Sequence, residues 1–160
     1  MRYYLPELIF SDRGAAARKL EQNIQKYNAH FEKIRPRLEP NLLELVNCRL
    51  HDLCVNSVEY RTRLNEKRQQ SRNLIIRVGP IHLYFWGLKH STADEEHVGH
   101  AWLYDEIDLT PTGDFTLSVL LTDGEFEVTA RHVTFLDVPP VTEPVRHAKP
   151  KRQSRHRKRH

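Results

Sequence analysis

Two hydrophobic periods divide the chain, one of three to four residues near its start and one of two residues in its last third. The first runs through Leu20, Ile24, Tyr27, Phe31 and Ile34. Because residues three and four apart share one helix face, this spacing predicts an amphipathic helix from Arg13 to about Arg35. Pro36 and Pro40 follow it and end it.

The segments on either side of this helix are shorter. Pro6 lacks an amide hydrogen, so we predict a short strand or extended arm over residues 3–10. The side-chain oxygens of Ser11 and Asp12 are suited to cap the first turn of the helix. After the prolines, residues 41–47 are rich in leucine and predict one or two further helical turns.

Strand-forming residues dominate from residue 49 onward. Residues 49–64 predict a strand and residues 65–72 a polar connection. A second strand-like run covers residues 73–88, and Gly79-Pro80 interrupts it because proline cannot donate to a ladder. A polar loop over residues 89–96 is predicted to follow.

Polar and apolar residues alternate most clearly in the last third. Strand-like runs cover residues 99–109, 115–121 and 125–135. Asp123-Gly124 lies between the last two and is a strong hairpin signal, since a tight turn needs residues that accept positive φ. Because the strands follow the helical segment instead of alternating with helices, we predict an α+β fold: an N-terminal helical segment packed on an antiparallel β-meander of about five strands.

Length and composition fit one small domain with an appendage, since the chain has 160 residues of which 39% are hydrophobic. We place the boundary near Val138, which gives a domain of residues 1–137. Residues 138–145 contain three prolines and predict a semi-rigid spacer. No run approaches the roughly 18 apolar residues of a membrane span, and the first residues resemble no secretory signal. We therefore expect a cytoplasmic protein that does not enter a membrane.

Charge is unevenly divided along the chain. Residues 146–160 hold eight lysines and arginines and no acid, whereas the other 145 residues hold 17 basic and 21 acidic side chains. The body is thus mildly acidic, and its tail is predicted to be disordered because it cannot bury apolar area. Clustered cations attract nucleic acid or another polyanion by releasing counterions. The predicted contact residues are Arg146, Lys149, Lys151, Arg152, Arg155, Arg157, Lys158 and Arg159.

Motifs for enzymatic chemistry are few. The six glycines are scattered and form no phosphate loop, and there is no Gly-x-Ser-x-Gly elbow or Cys-x-x-Cys pair, so no cofactor is predicted. Cys48 and Cys54 are predicted to be buried or half-buried structural thiols.

Histidines and acids form the most suggestive chemical set. It comprises His51, Asp52, His97, His100, Asp105, Glu106 and Asp108. Two imidazoles and a carboxylate could hold a divalent cation. However, Gly99 lies between His97 and His100, which disfavours one helical face. Solvated loop histidines are the favoured interpretation, and no metal site is assigned.

Five large aromatic residues could form a stacking surface for bases or a peptide. They are Tyr84, Phe85, Trp86, Trp102 and Tyr104. The core of a small sheet needs the same residues, and we favour core or helix–sheet packing. Adjacent strand side chains point to opposite faces, so at least one of residues 84–86 is expected in the core.

Three short motifs resemble those of small uncharacterised bacterial proteins. They are Met1-Arg2-Tyr3-Tyr4, Leu50-His51-Asp52 and Trp102-Leu103-Tyr104-Asp105-Glu106-Ile107. The resemblance implies a helical N-terminal part before an antiparallel sheet and a bacterial or phage origin. It implies no activity and no catalytic residue.

A non-enzymatic interaction module is the function that these patterns favour. The body would recognise a protein partner while the tail contacts RNA, DNA or another polyanion. One alternative is a metal-dependent hydrolase that uses the histidine and acid set. Another is an immunity or inhibitor protein whose acidic body binds a basic partner.

Overall fold

Three helices precede eight β-strands in the residues that the computed structural model describes, 1–11, 14–64 and 70–137. The helices are α1 (Pro6–Ile9), α2 (Gly14–Ile34) and α3 (Pro40–Asn47). The strands are β1 (Val55–Leu64), β2 (Gln70–Val78), β3 (Ile81–Trp86), β4 (His90–Ser91), β5 (Trp102–Leu109), β6 (Phe115–Leu121), β7 (Glu125–Ala130) and β8 (His132–Asp137). The predicted α+β class, with helices ahead of antiparallel strands, is confirmed.

The residue ranges of α2 and α3 agree closely with the predicted helices. α2 occupies the predicted range and is followed by a 3-10 turn at Arg35–Arg37, and α3 confirms the turns predicted for residues 41–47. The strand or arm predicted for residues 3–10 is wrong in part, because Pro6 begins the single turn of α1. Proline is tolerated at the first helical position, where its missing amide hydrogen would have had no helical partner.

The strands form two antiparallel four-stranded sheets instead of one meander of about five strands. The first sheet has the order β1-β2-β3-β8 and the second has the order β4-β7-β6-β5. The predicted run over residues 125–135 divides at Arg131, whose N–H donates to the carbonyl of Trp86, so β8 joins the first sheet while β7 stays in the second. Residues 90–91, predicted as loop, pair with β7.

The Gly79-Pro80 pair ends a ladder, as predicted, by forming the tight turn between β2 and β3. Gly79 has a φ of 54°, in the left-handed region that favours glycine. The strand on its N-terminal side begins at Gln70, three residues earlier than the sequence predicts. The resulting hairpin places β3 in the interior of the first sheet.

One hydrophobic core lies between the two sheets. The rings of Phe85 in β3 and Phe115 in β6 have centroids 6.2 Å apart. Leu42 and Leu45 from α3 and Trp102 from β5 join the same buried cluster. Because both sheets bury one side here, each sheet turns its other side outward.

Alternation along β3 assigns its side chains to these two sides. Leu83 and Phe85 are fully buried, whereas His82, Tyr84 and Trp86 are half-buried on the opposite side. The outward side of this interior strand therefore presents a row of three rings, the imidazole of His82 and the aromatic rings of Tyr84 and Trp86. None of the helices in the described ranges is long and apolar enough to cross a membrane.

Candidate nucleic-acid interface

The outward side of the first sheet carries arginine and aromatic side chains, and we call it the arginine–aromatic face. Strand register and burial assign to it Glu59, Arg61, Arg63, Asn73, Ile75, Arg77, His82, Tyr84, Trp86, His132 and Thr134. Three arginines on this face outnumber its single carboxylate. The face is therefore cationic although the body as a whole is mildly acidic.

Tyr84 and Trp86 form the centre of this face. Their ring centroids lie 6.2 Å apart and their planes differ by 13°. The indole Nε1 of Trp86 donates a hydrogen bond of 2.9 Å to Oγ1 of Thr134 on β8, which fixes the orientation of the ring. Planar groups such as nucleobases could stack on these two nearly parallel rings.

The arginines are arranged around these rings. The guanidinium carbon of Arg63 lies 5.6 Å from the centroid of the Trp86 ring, a cation–π contact. Glu59 accepts from Arg61 at 3.1 Å and lies 3.6 Å from Arg77. The side chains of Arg61 and Arg77 remain 58% and 45% exposed. Their guanidinium groups can therefore still reach an anion from solvent.

A cavity of about 40 Å³ lies among Arg61, Arg63, Tyr84 and Trp86. Its floor includes Asn73, which is only 6% exposed. Oδ1 of Asn73 accepts the N–H of Gly87 at 3.1 Å, so the amide is held in one orientation. The cavity is too small for a whole base, and the rings and cations at its rim are the groups that an extended ligand would meet.

The opposite side of the molecule is acidic. Outward residues of β5, β6 and β7 there are Glu106, Asp108, Thr116, Ser118 and Glu127. Helix α2 and the first four residues cover part of this side, and a cleft of about 440 Å³ remains. The carboxylates are engaged within the protein. Glu106 accepts the N–H groups of residues 2, 3 and 4 at 2.8, 2.6 and 2.6 Å, and Asp108 lies 3.0 Å from Nε2 of His30.

Burial changes the acidity of three groups in or next to the second sheet. Desolvation raises the pKa of Asp105, opposed by the indole N–H of Trp102 at 2.9 Å and reinforced by the charge of Glu106. Burial also raises the pKa of Tyr27, whose hydroxyl accepts the N–H of Ile107. The pKa of Tyr4 is raised by burial and then by the charges of Asp105 and Glu106. Burial therefore makes the neutral form of each group more favourable than it would be in water.

The predicted histidine and acid set is distributed over several separate contacts. His51 pairs with Asp52 at 3.0 Å, and His97 pairs with Asp94 at 2.7 Å. His97 also lies 3.1 Å from the carbonyl of Glu125. Within residues 1–11, 14–64 and 70–137, no three His, Cys, Asp or Glu side chains are grouped so that they could hold a metal ion. The hydrolase alternative therefore lacks a ligand cluster in this part of the chain.

The aromatic prediction is resolved residue by residue. Phe85 and Trp102 lie in the core at 0% and 1% exposure, which confirms core packing for these two. Tyr84 and Trp86 lie on the arginine–aromatic face, and Tyr104 stacks on Tyr4 with centroids 4.9 Å apart. The prediction of core packing is thus wrong for Tyr84 and Trp86. Side chains alternate along β3, and only the side that carries Phe85 faces the core.

The two cysteines differ in exposure. Cys48 is half-buried, as predicted, whereas Cys54 is exposed, contrary to the prediction. Cys54 forms an isolated β-bridge with Ala101 just before β1, where its side chain lies outside the core. The predicted contact residues from Arg146 to Arg159, and the predicted spacer of residues 138–145, lie outside the described residues.

Sequence reasoning missed the arginines of this face. Arg61, Arg63 and Arg77 were not among the predicted site residues. The signal that could have found them is their parity: Arg61 and Arg63 alternate along β1 just as Tyr84 and Trp86 alternate along β3. Pairing β1 with β2 and β2 with β3 through the Gly79-Pro80 turn would have placed all of them on one side.

A family model for a protein of unknown function, DUF4085, matches residues 12–137. The chain belongs to the DUF4085 family. The match covers α2, α3 and all eight described strands, and therefore includes the whole arginine–aromatic face. The predicted membership of an uncharacterised family is confirmed. No curated protein matches the sequence.

Proposed function

We propose that this protein binds single-stranded nucleic acid on the arginine–aromatic face, with the basic tail adding electrostatic attachment. The observation that carries the proposal is the pair of nearly parallel rings, Tyr84 and Trp86, on the interior strand β3. Arg77 lies on the adjacent strand β2, and Arg61 and Arg63 lie one strand further away, on β1. The protein acts as a binding module, not as an enzyme.

The ring pair favours a single-stranded ligand. Bases that are not paired can lie flat on aromatic side chains, whereas the bases of a duplex are already stacked on each other. Exposed aromatics on four-stranded antiparallel sheets bind single-stranded RNA in other proteins, and this analogy in architecture supports the proposal. The spacing of Tyr84 and Trp86 along one strand suits two successive bases.

The cations favour a phosphate backbone. Guanidinium groups make paired hydrogen bonds to phosphate oxygens. Arg61 and Arg77 share one carboxylate, Glu59, so two positive charges are offset by a single negative charge. Arg63 adds a third positive charge 5.6 Å from the centroid of the Trp86 ring. A base that stacks on this side of the ring would displace the guanidinium, which would then be free to bind the phosphate of that base.

Binding of fluorescently labelled ten-nucleotide single strands of RNA and DNA tests this function. Trp86→Ala should weaken binding at least about fivefold, because each stacked base contributes about 1–3 kcal/mol. Trp86→Phe should retain most of the affinity, since phenylalanine keeps an aromatic face. Tyr104→Ala is the matched control, because Tyr104 stacks on Tyr4 away from this face.

Two results would contradict the proposal. One is equal affinity of the wild type and Trp86→Ala for every single strand. The other is a weaker affinity that Tyr104→Ala reproduces, which would indicate a general loss of stability.

The acidic side offers weaker support for binding a basic protein partner. Its cleft of about 440 Å³ is lined by Glu106, Asp108 and Glu127. These carboxylates already accept from backbone N–H groups, from His30 or from the Ser118 hydroxyl. A basic partner would have to displace these contacts, so the arginine–aromatic face is the better supported site.

A further inference from the structure

A second cationic feature lies at one end of the first sheet, and we call it the end cleft. It has a volume of about 320 Å³. Its lining residues are Gln70, Ser71, Arg72, Gly87, Leu88, Lys89 and Arg131. The end cleft lies where β2 begins and β3 ends, and Gly87 directly follows Trp86 in the chain.

Backbone hydrogen bonds bring three chain segments together around this cleft. The N–H of Leu88 donates to the carbonyl of Arg72 at 2.9 Å, and the N–H of Arg131 donates to the carbonyl of Trp86 at 3.0 Å. Lys89 is held by its own N–H, which donates to the carbonyl of Thr129 at 2.8 Å. The three cations therefore share one cleft although they are far apart in sequence.

Close approach of the backbone at Gly87 helps to form the cleft. This residue has a φ of 63°, and a Cβ added to it would lie 3.2 Å from Cβ of Arg131. A larger residue here would strain the backbone and displace Arg131.

The charge of the end cleft is positive. Arg72, Lys89 and Arg131 line it, and none of its lining residues in the described part of the chain is a carboxylate. Among the described residues, none of the ion pairs engages any of these three side chains. The guanidinium of Arg72 is held 5.4 Å from the centroid of the Tyr60 ring.

Two carboxylates lie close to the end cleft. Glu39 and Asp114 line a neighbouring cleft that also includes Lys89 and Arg131. An anion would therefore be held on the side of these two cations that faces Arg72, where the described lining residues include no carboxylate.

We propose that the end cleft binds the terminal phosphate of a single-stranded nucleic acid whose neighbouring base stacks on Trp86. A terminal phosphate carries a charge of about −1.5 to −2 at neutral pH, against −1 for an internal phosphodiester, so it matches three cations better. This inference rests on the proposed function, because it takes the stacked strand as its starting point.

Three forms of one ten-nucleotide strand test the inference. They carry a 5′-phosphate, a 3′-phosphate or hydroxyl groups at both ends, and an internal fluorophore reports binding. One phosphorylated form should bind about tenfold more tightly than the hydroxyl form. In Lys89→Ala and Arg131→Ala this preference should fall to about twofold or less. Lys26→Ala, which removes an exposed cation of α2, is the matched control and should keep the preference.

The possible failures are distinguishable. Equal binding of all three forms, together with weaker binding in Trp86→Ala, overturns the end cleft and leaves the proposed function standing. Binding of all forms that is insensitive to Trp86→Ala overturns the proposed function itself. Displacement of the phosphorylated strand by an equal concentration of inorganic phosphate would show that the cleft needs no attached strand, and would also overturn the inference.

Discussion

At the scale of single residues, Asp105 is a carboxyl group placed where its charge is unfavourable. It lies inward on β5 opposite Val119, and burial raises its pKa. A raised pKa in the folded state means that the contribution of Asp105 to stability is greatest below its unfolded pKa. That contribution is lost as the pH rises through its folded pKa.

Asp105→Asn should therefore stabilise the protein at pH 7 by on the order of 1 kcal/mol, because asparagine keeps an oxygen for the Trp102 indole and removes the half-buried charge. The gain should disappear near pH 3, where the aspartate is already neutral. Urea unfolding at both pH values measures this. Asp123→Asn, in an exposed turn, should change the free energy of unfolding at neither pH, and a loss of stability in Asp105→Asn at pH 7 would refute the account.

At the scale of elements, the side chain of Glu106 on β5 holds the first residues of the chain by hydrogen bonds. The Glu106 carboxylate accepts three consecutive backbone N–H groups there. Glu106→Gln leaves only one acceptor oxygen, so it should lower the free energy of unfolding by about 1–3 kcal/mol. Amide hydrogen exchange at residues 2–4 should become faster. Glu127→Gln, which affects only the bond from Ser118, should leave that exchange unchanged. Unaltered exchange in Glu106→Gln would show that this attachment is not needed.

Local elements were more predictable from the sequence than the faces they form. The stripe from Leu20 to Ile34 marked α2, and Gly79-Pro80 marked the end of a ladder, because both signals are local. The arginine–aromatic face depends instead on pairings between distant strands, such as Trp86 with His132. Alternation alone could show that at least one of residues 84–86 is buried. It could not show which side of β3 faces the core, because that depends on packing against the second sheet.

At the scale of the whole molecule, charge is separated between two sides and a tail. The first sheet presents arginines outward and the second presents carboxylates. In the proposed function, this separation would orient the protein with its arginine–aromatic face toward the polyanion. The tail from Arg146 to Arg159 would add attraction that depends on salt but not on base stacking.

Removal of residues 146–160 should therefore weaken nucleic-acid binding most at low salt and reduce the slope of log affinity against log salt concentration. The free energy of unfolding should change by less than about 0.5 kcal/mol. Retention on heparin at several salt concentrations and urea unfolding measure the two quantities. Unchanged retention of the shortened chain would count against a binding role for the tail.

Tryptophan fluorescence tests the stacking of bases on Trp86 most directly, because the only other tryptophan, Trp102, is buried in the core. Titration of the chain shortened to residues 1–145 with a ten-nucleotide single strand should quench its emission. The same titration of a Trp86→Phe variant should leave the remaining emission unchanged. Absence of quenching in the shortened chain, or equal quenching in the Trp86→Phe variant, would contradict the account.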